Sequence, residues 1–280
     1  MTSATKHTIL AAVGLLAAAM AAPALAADIE APPRVKWSFA GPFGTYDRGQ
    51  LQRGFKVYQE VCKACHGLTL LSFRNLAEAG GPGFSPAQAA TIAADYEIDD
   101  GPNDQGQMFK RRGRVADRFP APFANDAAAR AANNGVVPPD LSVMAKARTY
   151  ERGLPWFLFD IVTQYQEQGV DYLVALLTGY QDPPQGFTLL PGLSYNKYFP
   201  GHGIGMPKPL SDGQVSYTDG APQTADQYAK DVAGFLMWAA EPHMEARKTL
   251  GFQVMIFLIV LAGFLYFTKK KVWSAVEGHA

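Results

Sequence analysis

Cys62-Lys63-Ala64-Cys65-His66 contains both cysteines of a 280-residue chain, and a histidine follows the second one directly. Cys-x-x-Cys-His is the attachment signature of c-type haem. The spacing has a physical reason. On a helical turn, positions i, i+3 and i+4 share one face. Cys62 and Cys65 can therefore each form a thioether bond to the edge of one porphyrin, while His66 offers an axial nitrogen to the iron. Other readings fit less well. A zinc site takes about four ligands, and the chain has no second cysteine pair. A thioredoxin-like dithiol sits in a βαβ setting, which the flanking sequence does not offer. A non-haem thiol protein that uses Cys62 and Cys65 for disulfide exchange stays as a distant alternative. It would be colourless, whereas covalent haem keeps its colour on denaturation.

Both ends of the chain point toward a membrane. Lys6 and His7 precede an alanine-rich apolar run, Ile9 to Met20, and Ala24-Leu25-Ala26 fits an A-x-A cleavage site. Residues 1–26 thus read as an export signal. At the other end, LGFQVMIFLIVLAGFLYFT (250–268) holds no charge in 19 residues. At about 1.5 Å per residue this is close to the thickness of a bilayer core. Lys269, Lys270 and Lys271 follow, and Trp273 stands where an interfacial aromatic belongs. The expected organisation is a signal at 1–26, a periplasmic c-type haem domain at 27–249, a transmembrane anchor at 250–268 and a cytoplasmic tail at 269–280. The place expected for it is the bacterial inner membrane, single-pass.

The whole chain balances 25 basic against 25 acidic residues. Without Lys6, the lysine triplet and Glu277, the expected exported domain keeps 21 basic and 24 acidic residues. A net charge of −3 is poor for nucleic acid, which needs clustered Lys and Arg, but suits docking of a basic protein. The acidic run Glu97, Asp99, Asp100 and Asp104 is the natural place to look for such docking.

Apolar periodicity predicts a mainly α domain with weak strand signals. The first helix runs from about Gln50 into the haem motif, with Leu51, Phe55, Val57, Tyr58 and Val61 as its apolar positions. Ser85-Pro86 starts a second helix, as N-cap and first-turn proline. Others cover Asn125 to about Gly135, Asp140 to Arg148, Trp156 to Gln166 and Asp171 to Thr178. The last soluble helix starts at Thr224, with Gln227 as a capping-box partner, and ends before Pro242. Long loops are expected at 97–124 and 181–223.

A six-coordinate haem needs a second axial ligand, and a methionine thioether gives the high potential of electron carriers. Met108, Met144, Met206, Met237 and Met244 lie between signal and anchor, with His202 and His243 as rivals. Met144 and Met237 fall on helical apolar faces that suit core packing. Met206 lies in Gly201-His202-Gly203-Ile204-Gly205-Met206-Pro207, whose glycines let backbone approach a flat cofactor. The residues favour Met206, with His202 next.

Several longer stretches are together more specific. They are RGFKVYQEVCKACH (53–66), DGPNDQGQMFKRRG (100–113), ARAANNGVVPPDLSVMAKAR (129–148), DYLVALLTGY (171–180), YNKYFPGHGIGMPKPL (195–210) and DVAGFLMWAAEP (231–242). In this order the chain resembles cytochrome c1, the membrane-anchored haem subunit of ubiquinol–cytochrome c oxidoreductase. The likeness covers nearly all of the expected mature chain. It implies a c-type cytochrome haem domain with long loop insertions plus one C-terminal transmembrane helix, holding one covalently attached haem c. It makes Met206 the expected sixth ligand opposite His66. It also implies that Pro138, Pro139 and Leu141 line the haem pocket, that Arg148 pairs with a propionate and that Tyr172 lies near the haem. The extra cysteine pair of some bacterial members has no counterpart here. The implied partners are cytochrome b, a Rieske iron–sulfur protein, a soluble c-type cytochrome and the lipid membrane, within a dimeric complex. The implied work is relay of one electron from the Rieske protein to the soluble cytochrome, with no bond made or broken on this subunit. A stand-alone membrane-tethered mono-haem carrier is the alternative.

Overall fold

The computed structural model describes residues 30–148 and 168–277, with side chains through Ser274. The expected export signal and the expected helix at Trp156 to Gln166 lie outside the described residues. The described elements are mainly helical, as the periodicity predicts. In chain order the helices are α1 (Arg48–Val57), α2 (Pro86–Ala94), α3 (Asp126–Ala132), α4 (Met144–Ala147), α5 (Gln168–Thr178), α6 (Ala225–Ala240) and α7 (Met244–Glu277).

The frame is α1 packed across α6. Gly54 sits at the crossing because no side chain fits there. A Cβ would stand 2.0 Å from the Asp231 carbonyl oxygen and 2.6 Å from the Phe235 Cβ. This close approach lets Phe55 and Tyr58 reach Phe235, with ring centroids 5.5 and 6.1 Å away. Phe119 and Phe73 extend the aromatic cluster, and all five rings are buried. Such pairs contribute about 0.5–1.5 kcal/mol each beyond their burial. Within the same frame, the wholly buried Asp231 carboxylate accepts from Arg53 at 2.9 and 3.2 Å. Helix α5 packs on α6 and α4, and its wholly buried Asp171 accepts from the Trp37 indole at 2.8 Å, tying the N-terminal segment to the body.

The caps show how local sequence sets helix starts. Ser85 and Gln88 form the complete reciprocal cap ahead of α2. At α6 only half forms. Thr224 accepts from the Gln227 amide at 3.3 Å, but the Gln227 side chain turns to Asp231 at 2.9 Å. The Gln227 side-chain amide donates to the buried Asp231 carboxylate, which draws its oxygen away from the Thr224 backbone amide that a full capping box would satisfy. The helix expected over Asp140 to Arg148 shrinks to α4, because the Asp140 side chain is spent on holding an extended segment, described below.

The loop expected at 97–124 holds a hairpin that the sequence did not announce: β1 (Glu97–Asp100) pairs antiparallel with β2 (Phe109–Arg112). The second pair, β3 (Ser194–Tyr195) with β4 (Gly203–Ile204), lies in the second long loop. Strands of two to four residues are too short to register as alternation.

Helix α7 is continuous over 34 residues, longer than the 19-residue apolar run. Its stretch Met244–Ser274 is long and apolar enough to cross a membrane, and its large apolar side chains from Leu250 onward are exposed. Glu241 caps α6 and Pro242 separates it from α7, as expected.

Candidate haem site

Helix α1 does not stop before the cysteines. It widens into a π-turn over Tyr58–Cys62, with the Lys63 amide donating to the Tyr58 carbonyl at 2.9 Å. Such turns recur at functional positions. The Cys62 carbonyl then accepts from the amides of Cys65 (3.1 Å) and His66 (2.9 Å). Cys62, Cys65 and His66 thereby share one turn. Both thiols are free, with Cys62 half-buried and Cys65 exposed. Burial pushes the Cys62 thiol up to about 12, so it stays protonated at neutral pH. That is the opposite of the depressed thiol a dithiol exchange protein uses.

His66 is held from two sides. Its backbone carbonyl accepts from the Tyr58 hydroxyl at 3.1 Å. Its ring Nδ1 lies 2.7 Å from the Pro139 carbonyl oxygen. A carbonyl can only accept, so Nδ1 carries the hydrogen and Nε2 is left with its lone pair for a metal. Burial lowers the His66 pKa, against opposing effects from Pro139 and Asp140, which favours the neutral ring that ligation requires.

The Pro139 carbonyl is placed by its neighbours. Asp140 Oδ2 accepts from the amide and hydroxyl of Thr69, both at 2.9 Å, while Oδ1 accepts from the Ser142 amide at 2.8 Å. The Ser142 hydroxyl accepts from the Leu70 amide at 3.1 Å, and the Leu141 amide donates to the Gly67 carbonyl at 2.9 Å. Segments 67–70 and 139–142 are thus stitched together behind the histidine. Burial pushes the Asp140 carboxyl up, but the bonds from Ser142 and Thr69 outweigh it and hold it below the usual range. The sequence reading placed Pro138, Pro139 and Leu141 as pocket lining. It missed Asp140, whose Asp-x-Ser spacing is an Asx-turn signal.

The five methionines sort cleanly by place. Met144, Met237 and Met244 are buried in the main core, and Met108 is two-thirds exposed. Met206 belongs to neither group: it is half-buried on the loop after β4. Its carbonyl accepts from the Tyr180 hydroxyl at 3.1 Å. Its neighbour Gly205 lies against Val136, where a Cβ would approach the Val136 side chain to 2.8 Å. The Met206 loop therefore meets the very segment, 136–142, that carries the Pro139 carbonyl. His202 is engaged elsewhere: its ring stacks on Tyr195 at 5.4 Å and its Nδ1 lies 3.3 Å from the Asn196 carbonyl. The wholly buried Asn196 pins this loop to α5 through the Leu176 carbonyl at 2.7 Å.

Tyr172 is buried on α5. Burial raises its pKa, and the positive charge of exposed Arg148 opposes that rise, so the two stand within electrostatic reach. Tyr180 is also pushed up by burial and then by Tyr172, so Tyr172 lies near the tyrosine that holds the Met206 carbonyl. Tyr180, which holds Met206, was missed as a site residue although it closes the quoted stretch 171–180.

The Cytochrome C1 family matches residues 37–276, nearly the whole chain. The chain belongs to the cytochrome c1 family. Among similar proteins, "Cytochrome c1" of Blastochloris viridis is 52% identical over 261 residues, covering 93% of each chain. "Cytochrome b/c1" of Bradyrhizobium diazoefficiens is 67% identical over 244 residues, which is 87% of this chain but 36% of that one. "Cytochrome c1-2, heme protein, mitochondrial" of Solanum tuberosum is 44% identical over 246 residues, covering 88% of this chain and 86% of the relative. As a member of that family, this chain is a haem protein of electron transport. The donor set fits the group: two free thiols and a tautomer-fixed imidazole on one turn, with a core-free thioether on the loop that meets the same segment.

Proposed function

We propose that this chain is the c1 subunit of a ubiquinol–cytochrome c oxidoreductase. It takes one electron from a Rieske iron–sulfur protein and passes it to a soluble c-type cytochrome. The observation that carries this reading is the His66 ring, held by the Pro139 carbonyl with a free Nε2 on the turn that bears both cysteines. Cys62 and Cys65 attach the haem, His66 and Met206 ligate its iron, and Arg148 meets a propionate. Pro138, Pro139, Leu141 and Tyr172 line the pocket. Haem bound here supplies a reversible one-electron change at the iron. The protein's own work is positioning. The Pro139 carbonyl fixes the ring tautomer, buried Leu141 and Tyr172 keep water away, and Tyr180 steadies Met206. The exposed Cys65 leaves one approach open from solvent.

Helix α7 is the membrane anchor, with the export signal at 1–26, the haem domain at 27–249 on the periplasmic side, the span at 250–268 and the tail at 269–280 in the cytoplasm. Cytochrome b and dimeric assembly complete the complex. The Bradyrhizobium relative, named for b and c1 together, favours a c1 that works beside cytochrome b.

The test is a reduced-minus-oxidised spectrum of the tagged chain, purified from membranes in mild detergent. A c-type band with b-type bands supports the complex. A c-type band alone across several detergents replaces it with a stand-alone tethered carrier.

A further inference from the structure

Residues 37–46, Trp-Ser-Phe-Ala-Gly-Pro-Phe-Gly-Thr-Tyr, form an uncharged loop that no role above uses. Its base is rooted in the core. Trp37 stacks on Phe39 at 5.2 Å, Phe39 meets Tyr46 at 5.3 Å, and all three rings are buried. Its neck is closed by the Thr45 amide donating to the Ser38 carbonyl at 3.1 Å. Gly44 is folded so tightly onto Phe39 and Ala40 that a Cβ would lie 2.2 Å from the Ala40 carbonyl oxygen. Yet its tip holds Phe43 out at 72% exposure beside an exposed Pro42. A rigid, uncharged tip that presents an aromatic ring costs free energy in water, about 25 cal/mol per Å² of apolar surface.

The tip is fixed against α7. Lys248 donates to the carbonyls of Phe39 (2.6 Å) and Gly44 (3.1 Å), one at each side of the loop. One helical turn further on, Phe252 meets the Phe43 ring edge-on at 5.4 Å, itself half exposed. Phe252 is the third residue of the apolar run, only about 3 Å along the axis from its start. Lys248 therefore stands at the polar edge of that run, and the loop tip reaches just past it. An exposed apolar ring at this depth fits an interfacial contact that buries Phe and Leu side chains at the headgroup–acyl boundary.

We propose that the Pro42-Phe43 tip dips into the outer interfacial layer of the bilayer, beside α7, as a second lipid contact of the haem domain. The occupant is lipid, because the tip's apolar surface is continuous with the side chains of the span. This rests on the reading of α7 as the anchor. With two contacts, the domain is restrained from tilting against the lipid.

Photolabelling tests this with the full-length, haem-loaded chain in phosphatidylcholine vesicles. The lipid carries a diazirine near the glycerol end of one acyl chain, and adducts are mapped by mass. Adducts are expected on residues 40–44 and on 250–268, and not on the hairpin 97–112. Phe43→Asp is expected to reduce labelling of 40–44 several-fold and leave labelling of 250–268 and the haem spectrum unchanged. Adducts on 250–268 without any on 40–44 overturn the proposal, whether water or a protein covers the tip. No adducts on 250–268 overturns the anchor reading itself, and the loop proposal with it.

Discussion

The two sides of the proposed haem site are built to different standards. The histidine side grows from a helix crossing with no slack. Gly54 touches the α6 backbone, and the motif turn continues that same helix. The methionine side hangs on a loop, held by a two-residue strand pair, one buried asparagine and one tyrosine hydroxyl. A stiff side suits covalent attachment, where two thiols and a ring nitrogen must meet one flat group. A softer side suits the proposed tuning role, because a thioether there would shift without unmaking the fold.

Gly54→Ala attacks the stiff side and carries the largest expected effect. A methyl 2.0 Å from a backbone oxygen forces α1 and α6 apart. The cost is expected at or above the upper end of ~1–3 kcal/mol for overpacking, with a lower yield of haem-loaded protein and a lower melting temperature. Near-normal melting would mean the crossing is looser than the contact implies.

Met206→Leu attacks the soft side. Melting is expected to change little. The midpoint potential is expected to fall by a sizeable part of the ~0.8 V span that axial ligands control. An unchanged potential, with unchanged sulfur-to-iron absorption, would remove Met206 from the ligand set.

Tyr180→Phe is subtler. It removes the donor to the Met206 carbonyl, worth about 1 kcal/mol. A small potential shift and a weaker sulfur-to-iron band are expected, with the His66 side unaffected. Equal disturbance of both sides would end the contrast.

The smallest effect lies outside the site, in the 97–112 hairpin, and serves as the reference. Arg111 donates to Asp117 at 2.6 and 2.9 Å and also pairs with Asp100. That guanidinium holds the Asp117 carboxyl down at about 2. A depressed carboxyl adds stability above its ordinary value of ~3.9 and loses it as pH falls through about 2. Peptic cleavage of the hairpin is therefore expected to rise between pH 4 and pH 2. In Asp117→Asn the acceleration is expected to be absent. The same pairing bears on carrier docking. Glu97 pairs with Lys110 and Asp100 with Arg111 from the neighbouring strand, so the acidic run is partly neutralised by its own partner strand.

Much of this was legible in the residues. The five-residue motif announced a turn shared by Cys62, Cys65 and His66, and Ser85-Pro86 announced the α2 cap, because both rest on neighbours a few positions apart. The glycine-rich setting of Met206 set it apart from methionines on apolar helix faces. What stayed hidden depends on distant pairs. The Pro139 carbonyl meets His66 across 73 positions, and Tyr180 meets Met206 across 26. The hairpin was hidden for another reason. Its polar, charged strands carry no apolar alternation. Asp140 was read as a helix start, and the structure uses it as a stitch.

The joint between head and anchor bears on how electrons find their way. Arg48 pairs with Glu245 at 2.7 Å, the Tyr46 amide donates to the same carboxylate at 2.8 Å, and Lys248 grips two loop carbonyls. Helix α7 is thus bolted to the head rather than hung from it by a linker, and its 34 residues extend about 50 Å. A head on a string would sweep a hemisphere and meet partners at many angles. A bolted head keeps one height and one tilt above the lipid. Under the proposed relay, the searching then falls to the electron donor and acceptor.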